Sequence, residues 1–147
     1  MPNPNDTVKA LHVALADTYV LYLKTQNYHW NVTGIQFHSL HSMFEEQYKD
    51  LAEAVDVIAE RIRALGHEAP GSFEDYAQTA TISGTPVKGG PKEMLNSLIE
   101  GHEGLCTSMK RVIEASKTTS DPVTEDLAIE RLDAHEKVIW MLKATLS

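Results

Sequence analysis

Leu40, Phe44, Tyr48, Leu51, Val55, Ile58, Ile62 and Leu65 recur at intervals of four and three residues. That period lines them up along one side of an α-helix. A helix of this length is held in water mainly by burying such a seam against other helices. The pattern predicts a helix from Ile35 to Leu65. Thr33 and Gln36 are spaced as a capping box at its start. Gly66 is placed to end it in a left-handed turn. A second pattern lies off the seam, where His41 and Glu45, then Asp56 and Glu60, repeat a four-residue spacing. This helix therefore has two different faces to satisfy.

Three more long helices are predicted. The first runs from Asn5 to Asn31, with Val8, Leu11, Leu15, Tyr19 and Tyr22 at helical spacing. Val13 and Val20 lie off that stripe, so more than one side is expected to be buried. Asn31 and Gly34 act as stop signals. The third opens at Pro91, a favoured first helical position, and carries Leu95, Leu98, Leu105, Met109 and Val112. The fourth opens at Asp121-Pro122 with Asp as cap, followed by Leu127, Leu132, Val138, Ile139, Leu142 and Leu146. Between the second and third lies a long glycine- and proline-rich connection, His67 to Gly90. Loops of this length usually contain structure of their own. Ser72 to Ala77 fits a short helix, with Ser72 as cap and Glu74 and Asp75 in the first turn. The expected fold is all-α: a ferritin-like four-helix bundle with a short extra helix in the connection between helices 2 and 3.

The 147 residues suit one domain spanning 1–147. No apolar run approaches the roughly 20 residues of a membrane span. The first residues show no basic stretch leading into an apolar one, so no export signal is expected and the cytoplasm is the default compartment. The single cysteine, Cys106, excludes an internal disulfide and is expected in the core. The net charge of −8 opposes non-specific nucleic-acid binding, which rests on Lys and Arg neutralising phosphates. It also attracts cations.

His29, His41, Glu45, Asp56 and Glu60 are all of types that bind iron(II). His41 and Glu45 share a helix face, as do Asp56 and Glu60. The two pairs are about 22 Å apart at 1.5 Å per residue. One helix cannot bring both to one ion, but a second copy running antiparallel could. A two-fold axis would then create two sites per pair of chains. Alternatives exist for each residue. His29 beside Trp30 could cap or pack. His41 and Glu45 could be a surface pair, and Asp56 and Glu60 a solvated face, with Glu60 answering Arg61 or Arg63. An intramolecular di-iron site would need two Glu-x-x-His motifs, and none is present.

His102 and His135 fall on apolar stripes and are expected in the core. His12, His38 and His67 have no partner pattern and are expected at the surface. No nucleophile motif, phosphate loop or Cys-x-x-Cys pair occurs. The fourth helix starts with Asp121, Glu125, Asp126 and Glu130. The helix dipole accounts for Asp121 and Glu125, but Glu130 lies too far in. Around a symmetry axis such residues could guide cations inward.

The segment Tyr28-His-Trp-Asn-Val-Thr-Gly-Ile-Gln-Phe-His-Ser-Leu-His-Ser-Met-Phe-Glu-Glu-Gln-Tyr resembles the Dps family of mini-ferritins. So does Asp56-Val-Ile-Ala-Glu-Arg-Ile-Arg-Ala-Leu and, more weakly, Trp140-Met-Leu-Lys-Ala. The resemblance implies a hollow dodecamer with tetrahedral symmetry and a ferroxidase centre at the two-fold interface. His29, His41 and Glu45 would come from one subunit, Asp56 and Glu60 from the other. Glu45 stands where the family often has Asp. Trp30 matches an aromatic residue close to the centre that intercepts oxidising equivalents. Asp121, Asp126 and Glu130 match acidic positions lining the pore through which iron enters, at the ferritin-like three-fold axis.

The implied substrates are Fe(II) and hydrogen peroxide, with oxygen as the other oxidant. Ferric mineral would be stored inside, and DNA protected by consuming iron and peroxide together. Zinc would be tolerated by the same donors. The alternative is a structural nucleoid protein binding DNA non-specifically, and nucleoid association would follow from it. Many DNA-binding members use a Lys-rich tail, and the residues before the first helix hold no Lys or Arg. Twelve copies would carry about −96 in charge, so direct DNA binding is not expected.

Overall fold

Burial of the seam organises the molecule. Leu40, Phe44, Leu51, Ile58 and Ile62 are all at most 1% exposed, against Leu11, Leu15, Leu21, Leu98, Leu105 and Met109 of the neighbouring helices. A computed structural model describes residues 2–147. Its elements are α1 (Pro4–Asn31), α2 (Phe37–Ala64), α3 (Phe73–Thr79), α4 (Pro91–Thr118) and α5 (Pro122–Leu146). No strand occurs among the described residues. This is the four-helix bundle with a short helix in its long connection that the sequence predicts.

Short turns set α1 against α2 and α4 against α5. Side-chain bonds fix the other directions. Thr7 meets Thr119, Asp17 meets Ser108 and Tyr28 meets Ser97, so α1 and α4 run antiparallel. Asp50 meets Arg131 and Arg61 meets Asp121, so α2 and α5 do as well. α2 and α4 therefore point the same way, and the chain must travel back along the bundle between them. It does so over α1. Asp17, fully buried, accepts hydrogen bonds from the Thr81 amide (2.6 Å), the Thr81 hydroxyl (2.6 Å), the Ile82 amide (3.2 Å) and the Ser108 hydroxyl (2.6 Å). Lys24 donates to the Ser83 carbonyl at 2.8 Å, and the Val87 amide donates to the Tyr28 hydroxyl at 3.0 Å. A buried carboxylate is tolerated here because its lone pairs are all used.

The caps explain the helix ends. Ser72 accepts from the Asp75 amide and Asp121 from the Thr124 amide, as expected. After α2, His67 N–H bonds the Ile62 carbonyl and Gly66 N–H the Arg63 carbonyl, with Gly66 at φ 91°. This paired bonding closes the helix with a left-handed residue. α4 ends identically, but with Ser120 at φ 54° in the position that glycine suits best. The Thr33–Gln36 capping box does not form. Gly34 at φ 113° turns the chain so that α2 begins at Phe37. Gln36 sits at the cap with φ −97° and ψ 17°, outside the extended geometry a side-chain cap requires, and makes no cap bond. Ile35 is left fully exposed. No helix among the described residues is long and apolar enough to cross a membrane.

Candidate metal centre

His29 stands in the last turn of α1, and the 32–36 turn folds α2 back so that His41 lies beside it. The two imidazoles stack at 3.8 Å between centroids and 11° between planes. Each Nδ1 faces the other residue's backbone carbonyl: His29 Nδ1 to His41 O at 2.6 Å, and His41 Nδ1 to His29 O at 2.7 Å. A carbonyl only accepts, so each Nδ1 carries the hydrogen. Nε2 is then the ring nitrogen that each imidazole could offer a metal. The His29 carbonyl belongs to the last turn of α1 and has no intrahelical partner, so His41 also caps that helix. Backbone carbonyls that fix ring tautomer and orientation are the usual support for a metal-binding histidine.

Glu45 lies one turn beyond His41. Its Oε1 is 3.8 Å from His29 Nε2, and its Oε2 accepts from Lys49 at 2.9 Å. The Lys49 hydrogen bond and charge hold its carboxyl below the usual range, keeping it anionic. Tyr48 packs edge-on against His29 at 5.2 Å, and Phe37 stacks on His41 at 4.9 Å. Trp30, the neighbour of His29, is 60% exposed.

Asp56 and Glu60 are exposed on α2, one turn apart and facing solvent. Within the protomer they do not join the histidines. Among the described residues no three His, Cys, Asp or Glu side chains converge enough to hold an ion. The fold thus stacks His29 on His41 and sets Glu45 near His29, and presents Asp56 and Glu60 further along α2. At the start of α5, Asp121 is committed to structure. Burial pushes its carboxyl up, but hydrogen bonds from Thr124 and the Arg61 guanidinium at 3.0 Å outweigh this and bring it below the usual range. Asp126 and Glu130 are exposed, one turn apart.

A polar chain that runs from the surface at Asp50 into the core of the bundle is not legible from motifs. Asp50 pairs with Arg131 through two bonds of 3.2 and 3.0 Å. Arg131 Nη2 lies 3.3 Å from His135 Nε2, and His135 Nδ1 lies 3.0 Å from His102 Nδ1. Arginine only donates, so His135 Nε2 accepts and its Nδ1–H is given to His102. Both histidines are core residues, as expected. His12 departs from its expected surface position. It is half-buried, and its Nε2 lies inside without a partner, because α1 buries more than one side. Burial, then the nearby His67, lowers its pKa. His67 is itself half-buried, and only His38 is exposed.

Comparison with known proteins addresses the whole chain. The ferritin-like domain matches residues 8–147. DNA protection during starvation protein 2 of Bacillus anthracis is 32% identical over 140 residues, covering 95% of this chain and 96% of that protein. Dps from Vibrio cholerae O1 superposes with a TM-score of 0.94 at 33% identity, covering 98% of this chain and 91% of that one.

The chain belongs to the Dps family.

Dps from Staphylococcus aureus superposes on it with a TM-score of 0.95 at 31% identity, over 100% of this chain and 99% of that one. The Vibrio Dps is described as a member of a broad superfamily of ferritin-like diiron-carboxylate proteins. Membership gives this Dps-family chain iron storage and protection against oxidative damage as its general role, with ferroxidase chemistry as the general activity.

Proposed function

We propose that this Dps-family chain is a ferroxidase mini-ferritin whose centres form between two-fold-related subunits of a hollow dodecamer. His29, His41 and Glu45 of one subunit face Asp56 and Glu60 of the partner subunit. The observation that carries this reading is the reciprocal bonding of His29 and His41, which engages each Nδ1 and leaves each Nε2 outside those bonds, with the Glu45 carboxylate 3.8 Å from His29 Nε2. Two imidazoles and three carboxylates suit iron(II), and the carboxylates favour the higher charge of iron(III). Fe(II) is the substrate. Asp126 and Glu130 line its way in, beside Asp121, whose carboxylate is held by Arg61 and Thr124, and Trp30 stands beside the centre to intercept stray oxidising equivalents. Two Fe(II) give one electron each to hydrogen peroxide, which takes up two protons and leaves as two waters. Ferric mineral grows inside. Zinc competes for the same donors.

Protection of DNA is then chemical. A net charge of −8 per chain repels phosphate, so coating of DNA is disfavoured at physiological salt. The test uses purified metal-free protein, with Fe(II) oxidation followed anaerobically after peroxide and compared with oxygen alone. Particle mass is read from the same sample. The reading expects fast oxidation at about two irons per peroxide in a particle of roughly twelve chains. A folded assembly that binds iron without oxidising it refutes the activity.

A further inference from the structure

Four of the five tyrosines form one line that starts at the histidine pair. From His29 the ring contacts run to Tyr48 at 5.2 Å, from Tyr48 to Tyr22 at 6.0 Å, from Tyr22 to Tyr19 at 5.7 Å and from Tyr19 to Tyr76 at 4.9 Å. Each step lies within the range of about 4.5–7 Å expected of aromatic rings in contact. The line crosses from α2 to α1 and ends on α3, leaving the region of the centre altogether. Tyr28, the fifth tyrosine, is excluded. Its hydroxyl is bonded to Ser97 at 2.8 Å and to the Val87 amide at 3.0 Å, and it stacks on no member of the line.

Packing alone places aromatic rings in contact, but it does not call for phenols in particular. Tyr19, Tyr22 and Tyr48 are half-buried, so their rings touch one another while solvent can reach the protomer surface around them. Phenylalanine would fill the same space. A phenol adds a group that can give up one electron and one proton. Tyr76 differs from the others. Its ring is buried and its hydroxyl donates to the Pro70 carbonyl at 2.7 Å, a partner that cannot take the proton. Burial also pushes that phenol's pKa up. The line therefore has half-buried members near the histidines and, at its far end, a buried one whose proton is held by a carbonyl.

We propose that Tyr48, Tyr22 and Tyr19 form a relay that carries one-electron oxidising equivalents away from the metal centre along α1, with Tyr19 and Tyr22 as the resting sites. The proposal rests on the ferroxidase reading. When peroxide takes a single electron from one Fe(II), the products are Fe(III), hydroxide and a hydroxyl radical. The radical removes the phenolic hydrogen of Tyr48, giving water and a phenoxyl radical. Tyr48 is restored when Tyr22 passes it an electron while the phenolic proton moves through solvent, and Tyr19 then does the same for Tyr22. A thiol or an enediol reductant supplies the final electron and proton to Tyr19. Side chains that bind iron are spared, and damage is moved to replaceable electrons.

The test treats intact assembled protein with Fe(II) and a limiting pulse of peroxide. Rapid-freeze electron paramagnetic resonance detects phenoxyl radicals, and peptide mass spectrometry locates oxidised tyrosine. Iron oxidation is timed by absorbance in parallel. The comparison is with Tyr22→Phe, which keeps the ring and breaks the line outside the centre. Tyr19 oxidation should fall by about tenfold in the variant, Tyr48 oxidation should rise, and the rate of iron oxidation should stay within about twofold. Unchanged Tyr19 oxidation in Tyr22→Phe, or no tyrosine oxidation in the parent protein while iron is oxidised, overturns the relay alone. Failure of the parent protein to oxidise iron overturns the centre, and the relay falls with it.

Discussion

His102 and His135 make acid sensitivity a property of the bundle core. His102 is 1% exposed and His135 is fully buried. Burial first, and the Arg131 charge second, lowers the His102 pKa to about 3. Burial, then His102 and Arg131, takes His135 well below its ordinary value. Asp50 faces Arg131 from α2 and neutralises part of that charge. Both rings stay neutral when folded, yet in an unfolded chain each titrates near 6.5. The unfolded state therefore binds more protons below that value. Stability present above pH 6.5 is lost as the pH falls toward the folded pKa. From pH 7.5 to 5.0 the loss is about 2 kcal/mol for His102, and His135 adds to it in the same direction. The perturbation is the double substitution His102→Gln, His135→Gln, which removes the titration and keeps polar atoms in place. Urea unfolding followed by helical circular dichroism, at both pH values and one protein concentration, reads the difference. The double variant should lose markedly less stability on acidification than the parent. Equal losses in the two proteins would refute the reasoning.

Three further outcomes follow from the geometry. Asp17→Ala should destabilise by about 3–5 kcal/mol, because it strands four donors around a buried site, and amide exchange should show the 80–87 segment loosening first. Ser120→Gly should stabilise by about 0.5–1 kcal/mol in urea melts, since only the left-handed strain of that turn is relieved. His41→Ala should cut iron oxidation by about a hundredfold while helical content and particle size stay unchanged; an unaltered rate would place the centre elsewhere.

The helices were legible because each carries a seam of period 3.6 and a local stop or start. Ser72, Pro91, Asp121 and Gly66 act within a turn of where they stand, so α3 and the termini of the long helices could be read directly. The Thr33–Gln36 cap misled because spacing alone does not report backbone angles, and Gly34 had already turned the chain. Asp17 and Lys24 gave no signal. Their partners on the connection lie 64 and 59 residues away and are backbone groups or a small hydroxyl, and Asp17 also bonds the Ser108 hydroxyl of α4. Nothing in a sequence pairs such atoms.

For the candidate centre, the four-residue spacings of His41 with Glu45 and of Asp56 with Glu60 were plain, and so was the distance along α2 that keeps the two pairs apart within one chain. The mutual bonding of His29 and His41 was not, because each ring is held by a carbonyl that every residue possesses. Tyr48 beside His29 and Lys49 beside Glu45 were likewise hidden within an ordinary helical pattern. His12 read as a surface residue because it had no partner in the sequence pattern, although more than one side of α1 was expected to be buried.

The claim that the centre is shared between subunits is tested most directly by complementation. His41→Ala chains and chains carrying Asp56→Ala with Glu60→Ala are co-expressed, and mass spectrometry confirms that both enter the same particles. Each parent variant should oxidise iron slowly. In evenly mixed particles, about a quarter of the centres combine intact histidines from one chain with intact carboxylates from the other, and activity should recover to about that fraction. Mixed particles no more active than the separate variants would contradict a shared centre.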